Sequence, residues 1–126
     1  MIKILIIEDD EITNFITKLS LERLGFKNIK IALNGQEGID YLQTNEAPDL
    51  IILDINMPVF DGWDFLEALN HQNLCQNVPL IITTSSARPQ DRLKAIEFDN
   101  LIDYLEKPVD FESLNETLKQ LETNNL

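Results

Sequence analysis

LIILDINMP, residues 50–58, sets an acid at the end of an apolar run. Leu50 to Leu53 are four consecutive aliphatic residues, the pattern of a short strand buried on both faces, as strands of parallel sheets are. The run stops on Asp54, with Met57-Pro58 close behind shaping a loop. An acid at that point needs a reason, and the rest of the chain supplies one.

Outward from this stretch, short apolar runs alternate with amphipathic segments. Ile4 to Ile7 reads as the first strand; Ile12, Phe15, Ile16 and Leu19 then recur at helical spacing, and Gly25 sits where a helix would end. Ile29 to Leu33 is a second strand, Asn34-Gly35 a turn, and Gln36 to Gln43 a short helix with Ile39 and Leu42 inward. After strand three, Trp63 to Asn70 forms a helix with Phe65, Leu66 and Leu69 inward, and Pro79 introduces a fourth strand, Leu80 to Thr83. Pro89 can open a helix reaching about Phe98, Ile102 to Leu105 is strand five, and Phe111, Leu114, Leu118 and Leu121 mark the last helix. Five βα units in a row predict one α/β domain: a flavodoxin-like (βα)5, doubly wound parallel sheet in order 2-1-3-4-5, with helices on both faces and right-handed crossovers. The polar tail TNNL is expected to fray.

Composition narrows the function. With 126 residues the chain makes one ordinary domain, and 44% hydrophobic with 25% charged is globular. The apolar runs are too short to cross a bilayer, and the N-terminus lacks the apolar length and cleavage site of a signal peptide, so a cytoplasmic location is expected. Cys75 and His71 are each the sole residue of their kind, which excludes an intramolecular disulfide and a Cys/His zinc cluster. A net charge of −12 repels a phosphate backbone, so no direct nucleic-acid binding is expected.

In a doubly wound sheet, ligands bind beyond the carboxyl ends of the strands where the strand order reverses. Strand one is followed by Glu8 and Asp9, strand three by Asp54, strand four by Thr84 and strand five by Lys107-Pro108, whereas strand two, an edge, is followed only by Asn34-Gly35. Three carboxylates in one pocket repel one another unless a cation neutralises them. Oxygen ligands of this kind suit Mg²⁺, which is commonly held by one or two carboxylates and a phosphate. With Lys107 as a point charge and Thr84 as a hydroxyl donor, such a pocket can hold a phosphoryl group on a carboxylate, and Asp54 is the central candidate nucleophile. Taken singly, Asp9 or Asp10 could cap a helix, Asp54 could be a turn residue, Thr84 a loop hydroxyl and Lys107 a solvated charge. Their joint placement at one end of four strands favours the site; Asp10 and Glu11 keep the capping and helix-dipole roles.

These residues resemble the receiver domain of two-component response regulators, the family of the chemotaxis response regulator. The resemblance spans essentially the whole chain, from ILIIEDDE through LGF at 24–26, NGQEGIDYL, PDLIILDINMPVFDGWDFL and PLIITTSSA to YLEKP; its most specific element is Asp54, Met57, Pro58, Asp61 and Gly62. It implies that Asp54 accepts a phosphoryl group from a phosphohistidine of a histidine kinase or phosphotransfer protein. It implies Mg²⁺ held by the side chains of Asp9 and Asp54, by the Asn56 carbonyl, and by Glu8 directly or through water. Lys107 would pair with the phosphate, Thr84 would turn toward it and Tyr104 inward, altering the face of helix four, strand five and helix five; Pro108 would follow a cis peptide bond. The chain departs from the commonest pattern at Glu8, where many members have Asp, at Asn100, where Gly is usual and a left-handed backbone is expected, and at Ser86, a position that varies the access of water to the phosphate.

Three alternatives differ in class. A phosphatase of the haloacid-dehalogenase type needs a second acid two residues after the nucleophile, where this chain has Asn56. A flavin carrier would want a phosphate-cradling loop after strand one, where this chain has acids. A phosphorylation-independent pseudo-receiver would not need the complete residue set. The expectation is a stand-alone, non-enzymatic switch without an effector domain, catalysing only its own phosphorylation and slow dephosphorylation. It would signal through an unknown downstream protein, as a monomer or a weak phosphorylation-dependent dimer.

Overall fold

A computed structural model describes residues 2–85 and 88–124. In chain order the elements are β1 (Ile4–Ile7), α1 (Glu11–Arg23), β2 (Ile29–Ala32), α2 (Gly35–Thr44), β3 (Leu50–Asp54), α3 (Gly62–Gln72), β4 (Leu80–Thr84), α4 (Pro89–Ala95), β5 (Leu101–Glu106) and α5 (Phe111–Asn124). All strand pairs are parallel, as the alternation predicts, and the order is β2-β1-β3-β4-β5, that of the expected flavodoxin-like fold. Among the described residues no helix is long and apolar enough to cross a membrane.

The period-2 geometry of strands divides β3 between two cores. Ile51 and Leu53 join a cluster with Leu5, Ile7 and Ile82 that α2 and α3 cover through Ile39, Leu42, Phe65, Leu66 and Leu69. Leu50 and Ile52 join the opposite cluster, with Ile4, Ile6, Ile81, Leu21 of α1, and Leu114 and Leu118 of α5. Register then aligns the strand ends: Ile7 lies beside Leu53, and Asp54 beside Thr83.

Helix α1 departs from the simplest reading of its pattern. Its buried residues are Asn14 and Leu21, while Ile12 and Phe15 are 71% and 70% exposed and Ile16 and Leu19 also face outward. The phase of the helix is fixed by polar anchors. Asp10 caps it, accepting from the Thr13 backbone N–H (3.3 Å), and the Asn14 side chain donates to the Glu8 carbonyl (2.9 Å). Those bonds and the Leu21 contact turn the aliphatic stripe away from the sheet.

Other differences are local. Asp54 is the last residue of β3 rather than a residue after it. Asn34 caps α2, accepting from the Glu37 N–H at 2.8 Å, so Asn34-Gly35 starts the helix rather than forming a separate turn. Helix α4 stops at Ala95, short of Phe98, because Glu97 and Phe98 donate to Lys94 and Ala95 in a tighter turn. Asn100 does not adopt a left-handed backbone; its side chain instead donates to the Val78 carbonyl at 2.7 Å, joining the turns that precede β4 and β5. Thr123 and Asn124 extend α5 instead of fraying, with the Thr123 hydroxyl donating to the Lys119 carbonyl at 3.0 Å; Asn125 and Leu126 lie outside the described residues, as does Ser86.

At the site end, the start of α3 presses on the strand it follows. A Cβ on Gly62 would stand 2.6 Å from the Ile55 Cα and 3.0 Å from the Asp54 carbonyl oxygen, closer than backbone atoms tolerate. Asp61 caps the helix reciprocally with Asp64. Gly62→Ala is therefore expected to cost about 1–3 kcal/mol of unfolding free energy, the usual penalty for overpacking. Urea denaturation of the variant against the parent measures it, and an unchanged midpoint would show that the loop yields.

Candidate functional site

The polar ends of β1, β3, β4 and β5 meet at one rim of the sheet. One carboxylate oxygen each from Glu8, Asp9 and Asp54 lies within 4.8 Å of the others. Glu8 and Asp54 are buried, at 4% and 3% exposure, whereas Asp9 faces solvent, so the cluster has a closed floor and an open mouth. The Lys107 ammonium crosses this floor: it pairs with Glu8 Oε1 and stands 3.5 Å from Asp54 Oδ2. Lys107 is itself held in place by its backbone N–H, which donates to the Thr84 carbonyl at 2.8 Å, and by a cis bond to Pro108.

The β3–α3 loop closes the other side. The Asn56 N–H donates to Asp54 Oδ1 at 3.0 Å, and its side-chain amide donates to the Thr84 hydroxyl at 2.6 Å and reaches the Ser85 hydroxyl at 3.4 Å. Thr84 is fully buried. Val59 in this loop holds φ at +66°, a left-handed backbone that β-branched residues disfavour. On the far side of Thr84, the Tyr104 hydroxyl is buried, and its ring lies 4.6 Å from the Arg92 guanidinium. Burial raises the Tyr104 phenol above its ordinary pKa, and the Asp91 charge adds to that.

The site thus brings together every residue singled out at the strand ends: Glu8, Asp9, Asp54, Asn56, Thr84, Lys107 and Pro108, with Tyr104 behind Thr84. Two contributions escaped sequence reasoning. Asn14 ties α1 to the Glu8 backbone, and the Asn56 side chain spans the gap to Thr84. The Asn56 contact joins residues 28 positions apart that only the fold brings together, whereas the Asn14 contact is local and depends on the rotation of α1.

Electrostatics marks the floor as a cation site. Burial pushes the Glu8 carboxyl up to about 7; the Lys107 ammonium opposes this and the Asp54 carboxylate adds to it. For Lys107, burial alone would lower the pKa, but the bond to Glu8 and the Asp54 charge leave the ammonium raised above its usual value. One lysine against three carboxylates leaves negative charge in excess. An all-oxygen donor set of this kind matches a hard divalent cation such as Mg²⁺.

The chain belongs to the response regulator receiver domain family, whose pattern it matches over residues 4–119. It is similar to the sensor histidine kinase CheAY of Helicobacter pylori, 33% identical over 93% of this chain, and to the probable C4-dicarboxylate response regulator DctR of Halalkalibacterium halodurans, 35% identical over 97%. It spans only 14% and 52% of those two proteins. Among solved structures it resembles the Vibrio cholerae chemotaxis protein CheY4, with 26% identity, a TM-score of 0.82, and coverage of 96% and 98% of the two chains. A CheY-like receiver domain protein from Methanospirillum hungatei gives 28% identity, a TM-score of 0.83, and coverage of 99% and 98%. Receiver domains are signalling switches of two-component systems; they bind Mg²⁺ at an acidic pocket and are phosphorylated by histidine kinases.

The raised Glu8 pKa has a sign. A carboxyl that protonates more readily in the folded than in the unfolded chain stabilises the fold fully below about 4.5 and loses that contribution as pH rises through about 7. In metal-free protein the expected loss is on the order of 3 kcal/mol across this window. Glu8→Gln should flatten this part of the stability profile in thermal melts, and Mg²⁺ should raise the parent's melting temperature more at pH 8 than at pH 5. Equal slopes for variant and parent would remove Glu8 as the source.

Proposed function

We propose that residues 1–126 act as a single receiver unit in which Asp54 accepts a phosphoryl group from a phosphohistidine of a histidine kinase or phosphotransfer protein. The observation that supports this reading best is the meeting of Glu8, Asp9 and Asp54 within 4.8 Å, with the Lys107 ammonium 3.5 Å from Asp54. In the transfer, an Asp54 carboxylate oxygen forms the new P–O bond while the P–N bond to the donor imidazole breaks, and the imidazole leaves.

The side chains of Asp9 and Asp54, the Asn56 carbonyl and Glu8, directly or through water, are the ligands proposed for Mg²⁺. That ion supplies charge neutralisation as the phosphoryl group arrives beside the acids. Lys107 pairs with the phosphoryl oxygens once the Asp54 carboxylate has become an acyl phosphate, relaxing its hold on Glu8. Thr84 turns its hydroxyl to donate to the phosphoryl group, which breaks the Asn56 contact at 2.6 Å. Tyr104, whose hydroxyl is buried behind Thr84, is proposed to turn inward in concert with Thr84, and this changes its packing against Arg92.

The proposed output is a protein contact at the face of α4, β5 and α5, where Leu93, Ile96 and Ile102 are exposed. A phosphoryl group adds about two negative charges, and the rearranging hydroxyl and ammonium give the two states different interaction energies, as a two-state switch requires.

Acetyl phosphate with Mg²⁺ is expected to label the chain, with the label mapping to Asp54 by mass spectrometry after borohydride reduction. Asp54→Asn should abolish labelling, and labelling of this variant at the parent's level would overturn the assignment. Thr84→Ala should still accept the label, but the amide shifts that labelling induces in β5 and α4 should shrink to a small fraction of the parent's. Full-sized shifts in that variant would show that Thr84 does not transmit the change.

A further inference from the structure

Between α1 and α5 lies a cavity of about 440 Å³. It begins beside Glu8 and Lys107 and runs under α1, away from Asp54 and Asp9, neither of which lines it. Its floor is apolar, built from Ile52, Leu105 and Leu114. Its roof is the flank of α1 that carries Thr13, Ile16 and Thr17, so two short hydroxyl side chains and one half-exposed aliphatic side chain cover it. A helix flank that covers an apolar floor normally fills it with larger aliphatic side chains. Here Thr13 and Thr17 leave the space open beside Ile16, and its size falls within the roughly 300–1,000 Å³ of small-ligand pockets.

We propose that this cavity binds a small, neutral, mostly apolar molecule carrying one hydrogen-bonding group. The chemistry of the lining selects that class. The charged groups at its inner end, Glu8 and Lys107, are paired with each other, so the cavity asks for no ionic head. The floor favours an apolar body. The Thr13 hydroxyl already donates to Asp10 Oδ2 at 2.5 Å, so Thr17 is the roof hydroxyl that suits a single polar group. The inference rests on the packing of α1 against α5 and stands whether or not Asp54 is the phosphoacceptor.

The probe is the neutral dye N-phenyl-1-naphthylamine, which has an aromatic body and one N–H. Titrated into the full chain, it is expected to gain fluorescence saturably with one-to-one stoichiometry. It should also shift the methyl resonances of Ile52, Leu105 and Leu114 while leaving those of Ile12 and Leu19 on the outward stripe in place. Thr17→Phe, which places a ring in the cavity from the roof, should weaken binding at least tenfold with the circular dichroism of the fold retained. Absence of saturable binding, or shifts confined to Ile12 and Leu19, would overturn the proposal, as would undiminished binding by folded Thr17→Phe. If that variant does not fold, the methyl shifts of the parent decide alone.

Discussion

The confinement of three carboxylates and one ammonium at a single rim of the sheet is the constraint on which the site depends. Glu8 and Asp54 are almost completely shielded from water, yet they share the space with Asp9. Burial raises the cost of ionisation and the neighbouring Asp54 carboxylate adds to it, which is why the Glu8 carboxyl is pushed up to about 7. Lys107 partly compensates, and the remaining negative charge suits a hard divalent cation. A site arranged for stability alone would not concentrate acids in this way.

The sheet makes that confinement possible. Parallel register sets the carboxyl ends of β1 and β3 side by side, and the two aliphatic cores above and below hold the strands against the repulsion at their tips. The surrounding loops are tightened to match. Gly62 lets α3 approach the end of β3, and the Asn56 N–H fixes one Asp54 oxygen. The Lys107 backbone is tied to Thr84, so the ammonium that reads the charge of Asp54 and the hydroxyl proposed to respond to it are mechanically joined.

Helix α1 shows how a polar anchor can override an apolar pattern. Ile12, Phe15, Ile16 and Leu19 have the spacing of a buried face, and hydrophobic burial alone would turn them toward the sheet. The rotation is decided by Asp10, which caps the helix, and by Asn14, which satisfies the Glu8 carbonyl inside the protein. An unpaired buried carbonyl is costly, and the Asn14 bond to Glu8 at 2.9 Å, together with burial of Leu21, favours this phase. The result is an aliphatic stripe turned outward at Ile12, Phe15 and Leu19, and a cavity above Ile52 and Leu114 that Thr13, Ile16 and Thr17 cover.

Periodicity by itself determined the ten elements and the parallel class, because strands buried on both faces and helices with one apolar flank leave unmistakable runs in a chain. The acids, Thr84 and Lys107 were legible as a site for a related reason: each follows an apolar run directly, and the carboxyl ends of parallel strands lie at one edge. Tertiary structure decided what depends on distance and rotation. It set which flank of α1 is buried, that Asn100 bonds to Val78 instead of turning left-handed, that the Asn56 amide reaches Thr84, and that the Tyr104 hydroxyl lies inside. Those outcomes turn on hydrogen bonds between residues brought together only by the fold, including pairs 22 and 28 positions apart, and no local pattern encodes them.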